Sequence, residues 1–311
     1  MQNLKMWAGR LRAGCGSFFP IPDVGRWEGF LYRVLLALVL ERLFPRDMMF
    51  HAQPVPSGLA HFFDLTWLSQ PGVYDTYRQV FVGALFLFAS GIALPLSLPV
   101  VTVLHLLPYT LINSQGSTNH SYQIMSLTLL GLSVTVLYHT IRGRVKLMPP
   151  GAEVNAWLLV TAQFVIAAAY LVSVCSKLIN SDGAWLFNSH YIALDLMKTN
   201  RQNYFTWLRP DLQFDPPIVL WLLHHPMMAR VVFGAGFLLE TFMFLAIGSR
   251  WASCLFGLAV IVMHLTIAET MGLLFPSHVA MLAVFWVLPW PYAWVRNAIQ
   301  RWRGPSVDSR V

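Results

Sequence analysis

The sequence carries little charge for its length. Of its 311 residues, 11% are charged, against roughly 25% in an average soluble chain. Hydrophobic residues make up 56%, and the mean hydropathy is +0.56. So few charged side chains cannot cover the surface of a soluble protein of this size, and much of that surface must face a solvent other than water. The composition excludes a soluble globular protein and indicates a membrane protein.

Cysteines are scarce, and the common catalytic motifs are missing. The three cysteines, Cys15, Cys175 and Cys254, form no CxxC pattern, so the sequence indicates neither a disulfide framework nor a zinc ribbon. There is no HExxH, no Gly-rich phosphate loop and no GxSxG, which excludes the enzyme classes that these motifs mark. The adjacent pair His224 and His225 lacks a third ligand at a suitable spacing. We therefore expect no metal site, with haem held by two histidines, for example His105 with His139 or His264, as the alternative that stays open.

The positive net charge does not indicate a nucleic-acid partner. It is +7, from 21 Lys and Arg against 14 Asp and Glu. The basic residues stand singly or in small clusters between apolar runs, whereas nucleic-acid binding favours a continuous stripe. This distribution is typical of the residues that orient a membrane protein. We expect the lipid bilayer, and no nucleic acid, as a partner.

Apolar runs long enough to cross a bilayer divide the sequence. A membrane-spanning helix needs about 20 mostly apolar residues, and runs bounded by charge, Pro or Gly predict about eight such helices. These runs are Gly29 to Leu43, Val80 to Leu94, Leu96 to Ile112, Tyr122 to His139, Val154 to Ser176, Val231 to Ile247, Trp251 to Ile267, and Leu273 to Tyr292. The predicted fold is all-α, a polytopic membrane helix bundle.

Lys and Arg in the short connections predict its orientation. Basic residues follow the fourth, sixth and eighth runs, whereas the connections 113–121 and 268–272 contain none. We therefore expect an integral membrane protein with both termini in the cytoplasm. Residues 1–26 form a basic lead and residues 293–311 a basic tail, and the transmembrane domain spans residues 27–292. Its aromatic outer loops, 44–79 and 177–230, are expected to fold onto the membrane surface, although an ordinary aromatic belt at the headgroups explains any single residue equally well.

Ionisable side chains at membrane depth are costly, which makes each one a candidate for function. Arg33 and Glu41 stand near the two ends of the first run, where snorkelling to the headgroups is the simpler interpretation. Glu240 stands in the middle of the sixth run and cannot snorkel. We expect it to be protonated, paired with a cation, or facing a polar cavity.

Lys177 ends the apolar run that contains Ala167 to Ser176. One interpretation is a lysine that snorkels at a helix end. The other is a catalytic base, because removal from water favours the neutral amine. The C-terminal end of a helix opposes this effect by stabilising the cation. The two interpretations stay open at the level of the sequence.

His120 stands at the predicted start of the fourth helix, in the segment Thr118 to Tyr122. The positive end of the helix dipole disfavours an imidazolium there, so a neutral imidazole able to hydrogen-bond a ligand is expected. A satisfied surface histidine is the plainer alternative. The orientation inferred from basic residues places His120, Lys177, His264 and Glu269 on the same, outer face.

Three segments together resemble the vitamin K-dependent gamma-carboxylase. The first runs from Leu111 to Tyr122 and ends in Asn-His-Ser-Tyr, similar to the NHSY motif that carries a catalytic-site histidine in that enzyme. The second holds Tyr170-Leu171, Ser176-Lys177-Leu178 and Asp182-Gly183-Ala184-Trp185, and it resembles the pattern whose lysine is the base. The third has Glu240, Ser249-Arg250 and His264 in a similar layout. The ordered set covers roughly residues 25–292 and is similar to the HTTM family of membrane domains.

This resemblance implies a reaction. Lys177 would deprotonate a reduced naphthoquinone, such as reduced vitamin K or menaquinol, and O2 would add to the anion, giving a quinone epoxide and a strong alkoxide base. In the carboxylase this base removes a proton from a peptide Glu, which then attacks CO2. His120 would hydrogen-bond the quinol oxygen, where a preorganised donor is most effective. Five further residues are expected around the cofactor: Asn119, Tyr122, Trp185, His264 and Glu240.

The sequence also departs from the carboxylase. Ser176 stands where the carboxylase has a second lysine, and no counterpart of its large lumenal region follows the membrane domain. These departures put Glu carboxylation in doubt and leave the quinol chemistry as the main expectation. If carboxylation does occur, the enzyme is of the carbon–carbon lyase or ligase type. Two alternatives stay open: another peptide-maturation enzyme of the HTTM family, and a non-catalytic quinone-binding or transport protein. By the same resemblance we expect a secreted or membrane-associated peptide substrate. We also expect a bacterial inner membrane, and the orientation inferred from the basic residues places the active site on the periplasmic side.

Overall fold

The fold is a helix bundle, seen in a computed structural model that describes residues 20–48, 51–116, 122–145, 147–207 and 216–302. Within these ranges no strand occurs, so the predicted all-α class is confirmed. The longer helices are α1 (Arg26–Leu43), α2 (Val73–Ser90), α3 (Leu94–Asn113), α4 (Gln123–Ile141), α5 (Ala152–Asn180), α6 (Ile192–Trp207), α7 (Pro217–His224), α8 (Pro226–Phe242), α9 (Arg250–Met271), α10 (Pro276–Leu282) and α11 (Pro289–Trp302).

Glycine and proline set several of the helix ends. Gly91 follows the last turn of α2 with a φ of 75°, a left-handed conformation that glycine adopts without steric cost. Gly272 ends α9 in the same way, with a φ of 64°. Pro276 then begins α10, since a proline in the first turn sacrifices no helical hydrogen bond. A π-helical segment, Ala283–Val287, joins α10 to α11.

Six helical segments are long and apolar enough to cross a membrane, which makes the chain an integral membrane protein by length and composition. They are Leu94–Asn113, Gln123–Ile141, Ala152–Asn180, Pro226–Ala246, Arg250–Met271 and Pro276–Trp302. The expectation of about eight spans is not confirmed. The first two predicted runs lie in α1 and α2, which are helices but fall outside the six segments. Five charged residues lie in α1, and the first two turns of α2 hold Asp75 and Arg78.

The bundle packs largely in chain order. Helices α1 to α5 pack as successive neighbours, and α8 packs on α5. Helices α4, α5, α8, α9 and α10 form a closed ring in which each helix contacts the next, and α10 returns to α4. This ring encloses the candidate site described below. The main hydrophobic core lies in the same bundle, where Trp286, Phe81 and Leu36 are among its largest fully buried side chains.

The two segments predicted as outer loops are more ordered than loops. Residues 44–79 contain two 3₁₀ turns, Gly58–His61 and Thr66–Ser69, as well as the start of α2. Residues 177–230 include the last turn of α5, then α6 and α7 and the start of α8. Helices α6, α7 and α8 share a small second core formed by Ala193, Leu196, Val219, Leu222 and Ala229.

A buried ionic cluster joins α1, α9 and α11. Glu28 is completely buried and accepts hydrogen bonds from Arg250 Nη1, from Arg250 Nη2 at 3.0 Å, and from the Tyr32 hydroxyl. Arg250 Nη1 also donates to the carbonyl of Pro289 at 2.6 Å. A buried carboxylate is tolerated only when it is paired in this way. The cluster therefore ties the beginning of the chain to the last two long helices.

Candidate functional site

A cavity of about 790 Å³ lies within the ring of five helices. Its polar wall is formed by Tyr170, Lys177, Glu240, His264 and His278, with Ser173, Ser176 and Gln123 beside them. The remaining lining is apolar and comprises Ile124, Leu127, Phe164, Val165, Ala168, Ala169, Val172, Met263, Ile267 and Phe275. The cavity is therefore amphipathic, with its ionisable groups gathered from four different segments of chain.

Helix α5 supplies most of this wall because of its length and register. It runs for 29 residues, about 44 Å at 1.5 Å per residue. Tyr170, Ser173 and Lys177 stand three and four residues apart, so they lie on one face of the helix. Lys177 lies in the last turn of α5. The predicted outer loop began at residue 177 and had therefore placed Lys177 just beyond the helix.

Lys177 forms an ion pair with Glu240 of α8. Lys177 Nζ donates a hydrogen bond to Glu240 Oε2, and the two side chains are 27% and 10% exposed. Of the three states expected for Glu240, the structure shows two at once, since this carboxylate is paired and also lines the cavity. Lys177 is held by a carboxylate and does not snorkel as a free cation.

Trp185 covers the other side of the amine. Lys177 Nζ lies 5.3 Å from the centroid of the Trp185 ring, within the range of a cation–π contact. The indole stacks in turn on Phe237 of α8, with 5.0 Å between ring centroids. Trp185 thus fixes the position of the ammonium group relative to α8, which also carries Glu240.

A second pair of polar side chains lies about two turns of α5 before Lys177. The Tyr170 hydroxyl is hydrogen-bonded to His264 Nε2 at 2.6 Å. The His278 ring lies 5.2 Å from the His264 ring, and Phe275 packs against both. Nδ1 of each histidine is buried and has no hydrogen-bond partner among the described residues. The two rings line the cavity, although these two nitrogens are not themselves exposed to it.

The structure brings together only part of the predicted site. Lys177, Glu240 and His264 line the cavity, and Trp185 contacts Lys177. Tyr122 was expected near the cofactor, but its ring packs on Tyr109 at 4.4 Å between centroids, outside the cavity wall. Its neighbour Gln123 lines the cavity instead.

Two predicted residues, His120 and Asn119, lie outside the described residues. Two other predictions concern Glu41 and Arg33 of α1. Glu41 is paired with Arg78 at 2.9 Å, with its side chain 42% exposed. Arg33 was expected to snorkel, but it is 5% exposed and inside the bundle, where its Nη1 donates to the Asn155 side chain. The expectation for Arg33 was wrong, because its side chain turns towards α5.

Sequence reasoning missed His278 as a site residue and did not assign Tyr170 a role. His278 is an isolated histidine two residues after Pro276, without a neighbouring motif. Tyr170 had a usable signal, since it stands seven residues before Lys177 and therefore on the same helix face. No three His, Cys, Asp or Glu residues in the described ranges are grouped so that they could hold a metal ion.

Comparison with known proteins returns no relatives. No protein-family profile, no curated protein and no solved structure matches this chain. The assignment of a function therefore rests on the residues and the cavity.

Proposed function

We propose that this chain is a membrane enzyme that binds a reduced quinone in the cavity and removes a phenolic proton from it, as the first step of O2-dependent epoxidation. One observation carries the proposal: the Lys177–Glu240 pair and the Tyr170–His264 pair line the polar wall of a cavity whose remaining lining is mostly apolar. The resemblance to the HTTM family supports the same chemistry.

The size and polarity of the cavity suit a prenylated quinol. Small-molecule sites typically enclose about 300–1,000 Å³ and are mostly apolar, with a few polar groups that orient the ligand. The volume of about 790 Å³ falls in this range. A quinol head would place its hydroxyl groups on the polar wall, and its prenyl tail would lie along Leu127, Phe164 and Val172.

The ion pair changes the expected identity of the base. With the amine protonated and the carboxylate ionised, the pair can still accept one proton, which then resides on Glu240. The quinol would lose its phenolic proton to this carboxylate, and Lys177 would stabilise the resulting phenolate. If the proton of the pair resides on Glu240 instead, Lys177 is a neutral amine, and this amine accepts the phenolic proton. In both cases the pair gains one proton and the quinol becomes an anion that can react with O2.

His264 and His278 would complete the polar wall. The Tyr170 hydroxyl is hydrogen-bonded to Nε2 of His264, which orients this ring in the cavity wall. Gln123 lines the cavity three residues after His120 in the sequence. We propose that His120 and Asn119 also belong to the quinol site, as the resemblance to the carboxylase implies. Their proposed role is hydrogen bonding to the quinol oxygen.

The proposal also includes an orientation in the membrane and a peptide substrate. Both termini would lie in the cytoplasm, and the cavity would open towards the periplasm of a bacterial inner membrane. The alkoxide formed with the epoxide would act on a secreted or membrane-associated peptide, by Glu carboxylation with CO2 or by another maturation reaction.

A non-catalytic quinone-binding or transport protein is the second candidate. The ion pair itself favours it, since a lysine already neutralised by a carboxylate satisfies its own charge without any chemistry. Such a protein would bind the quinone and release it unchanged. The two functions therefore differ in their product: the enzyme converts the quinol into a quinone epoxide, whereas the binding or transport protein releases the quinone unchanged.

The decisive experiment is product analysis. Purified protein in lipid nanodiscs would receive reduced menaquinone, O2, labelled bicarbonate and a Glu-containing peptide, and mass spectrometry would quantify epoxide and labelled peptide Glu. Oxygen-dependent epoxide that disappears in Lys177→Ala and in Glu240→Gln, and persists in the control Lys198→Ala, supports the proposal. Lys198 is exposed on α6, away from the cavity lining. Tight quinone binding with no epoxide would favour the transport function.

A further inference from the structure

Helix α11 is attached to the bundle by its first half only. The carbonyl of Pro289, its first residue, accepts a hydrogen bond from Arg250. About two turns later, Arg296 pairs with Asp23 at 3.3 Å. Every residue from Asn297 to Trp302 is exposed. The bundle therefore fixes where α11 begins, and the described part of the chain leaves the side chains of its second half uncovered.

The sequence of α11 is that of an amphipathic helix. At 3.6 residues per turn, its exposed apolar side chains fall within one half of its circumference; they are Trp290, Trp294, Val295, Ile299 and Trp302. Asn297 and Gln300 lie on the other half, and α11 contains no acidic residue. Arg301 stands near the edge of the apolar half, from which a long side chain can reach lipid headgroups. Such a helix is typical of one that lies in the plane of a membrane surface.

Tryptophans on three helices mark the membrane boundary at this end of the bundle. Trp27 and Trp251 are the second residues of α1 and α9, and both are exposed. The ion pair between Glu28 and Arg250 joins the starts of these two helices, so the two indoles lie at a similar depth. Trp290 is the second residue of α11, which begins beside Arg250. Because tryptophan prefers the level of the headgroups, α11 begins at the boundary of the membrane.

The rest of α11 therefore lies outside the hydrocarbon core. The apolar segment Pro276–Trp302 has 27 residues, about 40 Å of helix, whereas the core is about 30 Å thick. If α11 extended straight into water, Trp294 and Trp302 would stay 64% and 88% exposed. If it lies along the membrane surface, the headgroup region covers both indoles. Burial of apolar surface favours the second arrangement.

The same end of the bundle carries an excess of positive charge. Four segments meet there: residues 20–31, 142–153, 248–252 and 289–302. Their described residues include six basic and three acidic side chains. The basic ones are Arg26, Arg142, Arg144, Arg250, Arg296 and Arg301, and the acidic ones are Asp23, Glu28 and Glu153. A surface of this charge attracts anionic phospholipids and not neutral ones.

We propose that α11 lies on the membrane surface and that Arg301 binds the headgroups of anionic phospholipids, with Trp294, Ile299 and Trp302 inserted beside them. The segment from residue 293, which the sequence predicted as a basic tail, is thereby anchored to the bilayer as far as Trp302. The interaction is independent of the quinol cavity, because none of the residues that line the cavity belongs to α11.

Spin labels on the full chain in lipid nanodiscs test the position of α11. Ile299→Cys and Gln300→Cys each carry one label, in a protein whose three native cysteines are replaced by alanine. Both positions are exposed, so the labels do not disturb the core. Collisions with O2, which concentrates in the bilayer, and with a water-soluble nickel chelate report the depth of each label. With phosphatidylcholine and phosphatidylglycerol in the nanodisc, the label at position 299 should be shielded from nickel and the label at position 300 accessible. Equal access of nickel to both labels would overturn the proposal, since it would place α11 in water.

The charge of the lipid provides the second comparison. The shielded fraction of the label at position 299 gives the partition constant of α11 between water and the membrane surface. Arg301→Gln should lower this constant by about fivefold when phosphatidylglycerol is present and leave it unchanged in pure phosphatidylcholine. Lys198→Gln, which removes an exposed cation on α6 outside the four segments, should change it in neither lipid.

Two outcomes of this comparison would contradict the proposal. An effect of Arg301→Gln that is equal in both lipids, or absent from both, would rule out recognition of anionic headgroups. Shielding that appears only in nanodiscs with two copies of the chain would assign the apolar face of α11 to a second copy.

Discussion

Lys177 and Glu240 are 63 residues apart in the sequence, yet their side chains form an ion pair in the wall of the cavity. Each would be costly alone at this depth, and together they are neutral. The pair also joins α5 to α8, so it serves the packing of the bundle as well as the proposed proton transfer. Variants can separate these two roles.

The first prediction separates stability from catalysis at the pair. Lys177→Met leaves the buried carboxylate of Glu240 without a partner, which should lower the free energy of unfolding by about 3 kcal/mol. The double variant Lys177→Met with Glu240→Leu removes both charges and should recover most of that loss. Epoxide formation should stay absent in both. Unfolding by denaturant in detergent and the epoxide assay measure the two effects, and recovery of activity in the double variant would contradict the proposed role of the pair.

The second prediction concerns the hydrogen bond between Tyr170 and His264. Tyr170→Phe removes the hydroxyl and retains the ring, so the free energy of unfolding should fall by about 1 kcal/mol. Because the orientation of the His264 imidazole is then lost, the rate of epoxide formation should fall by about tenfold or more. Single-turnover kinetics with reduced menaquinone measures this rate. A matched change, Tyr138→Phe on the exposed surface of α4, should have no effect.

The third prediction tests whether the prenyl tail occupies the apolar wall. Ala168→Phe places an aromatic ring in the cavity and should weaken binding of a long-tailed quinone by about tenfold or more, while a quinone without a tail is affected less. Val134→Phe on the exposed surface of α4 is the control, because this residue does not line the cavity. Equilibrium binding in nanodiscs distinguishes the two. Equal effects on both quinones would place the tail elsewhere.

The fourth prediction concerns the ionic cluster around Glu28. Glu28→Gln leaves the Arg250 guanidinium without its carboxylate and should lower the free energy of unfolding by about 3–5 kcal/mol. The KM for quinol should not change, since Glu28 does not line the cavity. Glu153→Gln removes an exposed carboxylate that pairs with Arg144, and it should cost about 1 kcal/mol or less. A loss of quinol binding in a folded Glu28→Gln protein would show that the cluster and the cavity are coupled.

The sequence predicted the helical class because the apolar runs are long and clearly bounded. The predicted number of about eight spans is not confirmed, since six helical segments are long and apolar enough to cross a membrane and α1 and α2 are not among them. Arg33 illustrates the limit: its position near a helix end suggested snorkelling, whereas its contact with Asn155 depends on how α1 and α5 face each other. The side on which a charged residue turns is decided by its neighbours and not by its position along the run.

The candidate site was predictable where a local pattern existed. Lys177 stood out as an ionisable residue at the end of a long apolar run, and Glu240 as one in the middle of such a run. His278 had no local pattern, and it joins the site because α10 packs between α9 and α4. Tyr122 shows the opposite case, since it stands in a motif and yet its ring packs on Tyr109 and is not part of the cavity lining.

Composition and the lengths of the apolar runs by themselves determined that this protein is a helical membrane protein, because backbone groups in a bilayer must find their hydrogen-bond partners within their own segment. The spacing of residues along α5 determined which of its side chains share a face. Only the tertiary structure decided that Lys177 meets Glu240 and that Tyr170 meets His264. These pairings depend on the rotation of each helix about its axis and on its depth relative to its neighbours, and hydropathy encodes neither quantity.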